Sequence, residues 1–352
     1  MSEQPIKVGL IGAGGNTRSR HIPGLQAIPG VELVSVCNRS RESSQRVADE
    51  FGIPQIHEDW RALLAADDIN AVVIGTWPYM HCEMTCATLE AGKHVQCEAR
   101  MAMNATEAHT MLKASQAHPN LVAQIVPSPL TFKVDTMIQE LMADGYIGDF
   151  IGLKVRGTVP GFANPDGPLH WRHQKSLSGM NIQNMGIWYE ASMRWVGPAS
   201  RVYALTRVCV GQRRDPSTGQ MGTTDVPEYV EIVADLENGG VATYEFSAVS
   251  GLAPGPGAWI FGTTGTLHYD HNSQTLYGGK VGDSELKAIE IPADKAGAWR
   301  VEAEFVGAIR GQEKIRLTDF TTGTQYMEFT EAVTRSAESG QAIRLPLTDI
   351  SA

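Results

Sequence analysis

The stretch Lys7-Val8-Gly9-Leu10-Ile11-Gly12-Ala13-Gly14-Gly15-Asn16-Thr17 decides the fold. An apolar strand-like run feeds into glycines and then into a helical pattern. Gly12 permits a tight turn and Gly14 a close approach of backbone to a ligand. The helix start behind them, at Gly15, Asn16 and Thr17, offers amide N–H groups and the positive end of a dipole. An anion suits that site, and the order strand, glycines, helix suits the pyrophosphate of a dinucleotide better than a plain strand-to-helix turn. Thr17 occupies the place of a third small residue, so the helix is expected to pack slightly farther from the sheet or to start later.

The next strand ends Ser35-Val36-Cys37-Asn38-Arg39-Ser40-Arg41. An Asp or Glu there would accept from both ribose hydroxyls and repel a 2′-phosphate, but no acid is present. Asn38, Arg39, Ser40 and Arg41 instead offer hydrogen bonds and cationic forks, which favours NADP over NAD. Further β-branched runs near Ile56 and at 71–76, 94–97 and 121–126 alternate with helical patterns at 41–51, 60–66, 80–91 and 105–115. Such alternation predicts a doubly wound parallel sheet of the Rossmann type over residues 1–126. Pro127-Ser128-Pro129 breaks it.

Residues 127–352 read differently. A helix at 134–144 and a strand at 150–156 precede a Gly/Pro/Asn loop, 157–168, and an amphipathic segment, 180–196. Alternating runs follow at 201–210, 229–236, 241–247, 258–261, 266–269 and 288–291, and a helix at 320–340 closes the chain. Several strands without intervening helices predict an α+β domain with an open, mostly antiparallel sheet. Residues 211–226 read as one polar excursion, either a surface loop or an oligomer contact.

Composition bounds the function. The 352 residues are 42% hydrophobic and 19% charged, enough for real cores, with 39 acidic against 29 basic side chains and a net charge of −10. That balance disfavours nucleic-acid partners, which require a basic face. There is no run of about 18 apolar residues to span a bilayer, and Met1-Ser2-Glu3-Gln4 lacks the basic start of a signal peptide, so a cytoplasmic chain with a small-molecule partner is expected. The five scattered cysteines suggest neither a disulfide framework nor a metal site.

Three features together resemble the Gfo/Idh/MocA family (glucose–fructose oxidoreductase, inositol dehydrogenase, rhizopine catabolism), over nearly the whole chain. They are the Gly12-x-Gly14 turn, Gly75-Thr76-Trp77-Pro78-Tyr79-Met80-His81 after a strand, and Gly92-Lys93-His94-Val95-Gln96-Cys97-Glu98 before the next helix. The second is similar to the family's T-P-x-x-x-H signature with Trp77 inserted, the third to its G-K-H-V-x-x-E-K-P signature. The resemblance implies a nicotinamide coenzyme near Thr76, Trp77, Pro78, His81 and Glu98, and oxidation of a sugar, glycoside or cyclitol hydroxyl at the domain interface. It also implies a homo-oligomer built through the open sheet.

The departures matter as much. Where relatives read Glu-Lys-Pro this chain reads Glu98-Ala99-Arg100, and where the family has Asp and, four residues later, His, it has Asn184 and Trp188. Neither can exchange a proton near neutral pH. His170 and His173 titrate in the useful range and are the candidate acid/base groups. Arg100 is a candidate anchor for a substrate oxygen. Trp171, Arg172, Asn181, Asn184, Trp188 and Tyr189 complete the candidate substrate residues, with Trp171 and Trp188 as an aromatic wall for a sugar face. Two alternatives stand beside the dehydrogenase: elimination or isomerisation with a tightly held coenzyme, and an inactive nucleotide-binding sensor or subunit.

Overall fold

The computed structural model describes residues 5–350. By their contacts these form two compact units, one of residues up to 127 with 300–324, the other of 128–299 with 325–350.

In the first unit, β1 (Ile6–Ile11), β2 (Val31–Cys37), β3 (Gln55–Ile56), β4 (Ala71–Ile74), β5 (His94–Cys97) and β6 (Ala123–Ile125) form one parallel sheet in the order β3-β2-β1-β4-β5-β6. The helices are α1 (Ile22–Gln26), α2 (Arg41–Phe51), α3 (Trp60–Leu64), α4 (His81–Glu90) and α5 (Ala105–Ala117). β4 is buried at all four positions, as expected of a strand covered on both faces. Helix starts follow local chemistry. Ser40 and Ser43 form a reciprocal capping box on α2, Asp59 caps α3 and Asn104 caps α5.

The second unit contains α6 (Phe132–Ala143), β7 (Phe150–Arg156), α7 (Lys175–Ser178), α8 (Met185–Val196) and β8 (Ala199–Arg207). A ribbon of β9 (Gln212–Arg214) and β10 (Met221–Thr223) comes next, so the stretch expected to be one irregular excursion is a hairpin. Then follow β11 (Tyr229–Leu236), β12 (Val241–Ser247), β13 (Gly257–Gly262), β14 (Gly265–Asp270), β15 (Thr275–Lys280) and β16 (Lys287–Ile289). Helix α9 (Val301–Ile309) folds with the first unit, α10 (Phe320–Ser339) begins there and continues in the second, and β17 (Ile343–Arg344) ends the sheet. That nine-stranded sheet runs β16-β15-β14-β13-β7-β12-β11-β8-β17 and is antiparallel except for β7 beside β12. Its inner face is covered by α8 and α10. Tyr189 of α8 stacks on Phe329 of α10 at 3.6 Å, and Tyr244 of β12 meets both rings edge-on.

The return of 300–324 to the first unit is absent from a linear reading of two consecutive domains. Phe305 and Val306 join the core of Ile22, Leu25, Val8 and Leu10, and residue 318 pairs with Ile125 backbone to backbone. Helix α9 escapes sequence reading because Glu302 and Glu304 occupy buried positions and interrupt its apolar stripe. Among the described residues no helix is long and apolar enough to cross a membrane.

Candidate functional site

The glycine turn lies at the carboxyl end of β1, between β2 and β4. Gly12 has φ +84°, and a Cβ there would come within 2.7 Å of Thr76. Its N–H donates to Cys37 O (2.8 Å), while Gly75 N–H donates to Ile11 O (2.7 Å), so three strand ends are stitched together. A Cβ on Gly75 would lie 2.2 Å from both Gly12 O and Thr17 Oγ1. That contact explains Thr17: its extra bulk fits because residue 75 has no side chain. Of the two expectations the later start is what is seen: an i→i+5 turn over Thr17–His21, closed by Ile22 N–H onto Thr17 O, precedes α1. Gly15 faces open space, and Gly14 meets only Gly75 O, at 3.7 Å. A group without side-chain competition fits in front of them, as a diphosphate requires.

A cavity of about 540 Å³ adjoins the turn. Of the residues expected to hold the coenzyme, Gly12, Gly14, Asn38, Arg39, Ser40, Thr76 and Trp77 line it, together with Arg46, Tyr79 and the acids Glu58 and Asp59. The Arg39 guanidinium lies 5.9 Å from the centre of the Trp77 ring. Asn38 departs from expectation. Its Oδ1 accepts from Ala13 N–H (2.7 Å) and its Nδ2 donates to Ser43 O (3.0 Å), so the side chain braces the turn against α2 instead of facing a ribose. Arg41 departs too: it is not among the lining residues, and its guanidinium is met at 2.6 Å by Glu58, which is.

Pro78 opens a short turn, Pro78–Met80, and His81 behind it is fully buried. Its Nδ1 lies 2.9 Å from Arg100 O and its Nε2 3.1 Å from Thr76 O, which ties the Thr76 loop to the loop after β5. Burial pushes its pKa down, the two carbonyls opposing. His81 thus holds the loop and has no ring atom at the cavity surface. Arg100 is itself buried, at 6% exposure.

Glu98, directly after β5, belongs to a cluster that sequence reading missed. Glu98 Oε1 accepts from Asn16 Nδ2 and lies 2.9 Å from His21 Nε2, and His21 Nδ1 lies 2.6 Å from Glu302 Oε1. Burial alone would lower the His21 pKa, but the hydrogen bonds and charges of Glu302 and Glu98 outweigh it and raise it to about 9. For Glu98 burial likewise opposes ionisation and is overcome by His21 and Asn16, leaving its pKa below the ordinary value. No sequence signal joins His21 to Glu302 across 281 positions.

In the second unit the candidate acid/base groups are structural caps. His170 Nδ1 accepts from Arg172 N–H (3.3 Å), and His173 Nδ1 accepts from His170 N–H (3.1 Å), fixing the turn Trp171–His173. An accepting Nδ1 puts the neutral ring's proton on Nε2, so neither ring offers Nε2 as a base. Both pKa values are lowered, first by burial, then by Arg172 at His170 and by Arg213 at His173. Trp171 carries the Arg172 guanidinium 4.1 Å above its ring.

Asn181 is buried, with Nδ2 donating to Ser178 O at 2.7 Å. Asn184 is the residue before α8, and Trp188 accordingly follows one turn later. Trp188 is only 1% exposed, its ring edge-on to His271 and within 2.8 Å of where a Gly157 Cβ would lie. It therefore has no open face for a sugar. Tyr189 is likewise core, its hydroxyl accepting from Ala199 N–H. For Trp188 the cause is that the helix position picked by its spacing from Asn184 is one that the packing of α8 buries.

Residues 6–125 match a family described as an oxidoreductase family with an NAD-binding Rossmann fold, and residues 136–268 match the GFO/IDH/MocA C-terminal domain. Levoglucosan dehydrogenase of Pseudarthrobacter phenanthrenivorans is 26% identical over 265 residues, covering 69% of this chain and 67% of that protein. D-glucoside 3-dehydrogenase of Escherichia coli K12 is 26% identical over 369 aligned residues, covering 98% and 99%. A solved levoglucosan dehydrogenase in complex with NADH superposes with a TM-score of 0.84 at 22% identity, over 97% of this chain and all of that one, a likeness of fold. With both halves matched and the glycine turn built as described, the chain belongs to the Gfo/Idh/MocA family of NAD-binding oxidoreductases.

Proposed function

We propose that this protein is an NAD(P)-dependent dehydrogenase acting on a hydroxyl of a sugar, glycoside or cyclitol-like substrate. The carrying observation is the interlocked turn of Gly12, Gly75 and Thr17, which leaves Gly14 and Gly15 open at the strand ends where parallel sheets take ligands. Gly14, Gly15, Thr76 and Glu98 would hold the diphosphate and nicotinamide half, and Arg39, Ser40 and Trp77 the adenosine half. When bound, the dinucleotide supplies a two-electron hydride acceptor or donor. The sugar substrate is supported by the names of the relatives, which act on levoglucosan and on D-glucosides.

NADP is the preferred coenzyme in this reading. The end of β2 carries no acid, Asn38 is committed to the fold, and Arg39 stands at the cavity with its guanidinium near Trp77. The test is a binding titration. Arg39→Ala should weaken NADP at least about tenfold more than NAD, the scale of one lost charge-assisted contact; equal losses refute the preference.

The capped histidines, and Asn184 and Trp188 at the family's proton-transfer positions, favour one second reading: a nucleotide-binding subunit without turnover. NADP or NAD reduction over a panel of sugars and cyclitols separates the two. Reduction of either coenzyme supports the dehydrogenase, and tight coenzyme binding with no reduction supports the subunit. Oligomerisation through the open sheet belongs to the same proposal. Tyr203, Leu205, Val233 and Phe261 are exposed on its outer face, an apolar surface that a second copy would cover.

A further inference from the structure

Two carboxylates address one imidazole in the first unit, and the geometry constrains its charge. His21 is fully buried, with Nδ1 2.6 Å from Glu302 and Nε2 2.9 Å from Glu98. A neutral imidazole donates from one nitrogen only and would aim the other lone pair at a carboxylate. An imidazolium donates to both. The pocket is built for this arrangement: a Cβ on Gly24 would lie 2.8 Å from the Glu302 carboxylate, so α1 carries glycine where α9 inserts its acid. Glu98 is held on the other side by Asn16, in the first turn after the glycines, and its second oxygen accepts from Ala99 N–H at 3.2 Å.

We propose that His21 is a positioning residue, held as an imidazolium by Glu302, that clamps Glu98 beside the coenzyme-binding turn. This rests on the reading of that turn as the coenzyme site. The clamp does two things. It fixes one carboxylate at the carboxyl end of β5 in a single orientation, and it places a positive charge between two negative ones, so that Glu98 does not present an uncompensated charge to an anionic ligand. The pKa of about 9 at His21 agrees with it. The groups facing the ring include Glu98 after β5, Glu302 on α9 and Asn16 on its own turn, and the charge of Glu98 also acts on His81.

The test has two arms. In protein labelled with 15N-histidine and free of coenzyme, one of the ten histidine rings should carry protons on both nitrogens at pH 8, and that signal should vanish in His21→Gln. No doubly protonated ring at pH 8 overturns the proposal, a result read on the wild-type protein alone. In the second arm, calorimetric titration with NADP should give the wild type a Kd that changes less than about twofold from pH 6 to pH 8.5. Glu302→Gln keeps a hydrogen-bond partner but removes one of the two carboxylates that hold the proton on the buried ring, so its affinity should fall about tenfold over the same range. A Glu302→Gln profile as flat as the wild type overturns the clamp. If the wild type binds neither NADP nor NAD at any pH, the coenzyme reading fails and the clamp's purpose with it. Normal coenzyme binding beside a neutral His21 ring overturns the clamp alone.

Discussion

Replacing Asn38 by Asp tests the structure against the expectation drawn from the strand end. By analogy with acids at that position, Asn38→Asp should favour NAD over NADP. The observed bonds argue otherwise. Oδ1 accepts from Ala13 N–H at 2.7 Å, a contact that Asp keeps and strengthens. Nδ2 donates to Ser43 O at 3.0 Å, and Asp would turn an oxygen toward that carbonyl, losing one hydrogen bond and adding a repulsion in a half-buried site. Such a mismatch costs about 1–3 kcal/mol, part of it offset by the charged contact to Ala13. The expected outcome is a protein about 1–2 kcal/mol less stable in urea denaturation, with NADP and NAD affinities reduced by similar factors because the glycine turn is loosened for both. A variant as stable as the wild type whose preference moves tenfold toward NAD would show that residue 38 swings out to a ribose, and would refute the bracing role.

Gly75→Ala should cost about 3 kcal/mol and abolish coenzyme binding, because its Cβ falls 2.2 Å from Gly12 O and Thr17 Oγ1. Adding Thr17→Ala should recover part of that loss, and strict additivity in denaturation measurements would contradict the interlock. The His21 pKa is raised on folding, so its stabilisation is complete below about pH 6.5 and is lost as pH rises through about 9. Urea stability at pH 7 should exceed that at pH 10 by about 2–3 kcal/mol, and Glu302→Gln should shrink the difference; an unchanged difference counts against the charged cluster. His170→Asn should preserve turnover within about threefold, since Asn accepts the same Arg172 N–H, whereas loss of a general base costs about 10²-fold or more.

Local chemistry made much of this protein readable from its residues alone. The β1 run, the glycines, the helical pattern of α2 and the period-two runs of β11 and β12 are short-range patterns, and each formed where its pattern lay. The family signatures around Thr76 and Glu98 are also contiguous. Tertiary structure decided the rest, because packing joins residues that sequence distance separates. Only the fold makes Gly75 the partner of Thr17, turns Asn38 inward, spends the Nδ1 atoms of His170 and His173 on backbone N–H groups, and buries Trp188 and Tyr189 under the sheet. Only the return of 300–324 brings Glu302 to His21. A carboxylate in an apolar stripe reads as an interruption of the helix until its buried cation is known, and that cation lies 281 positions away.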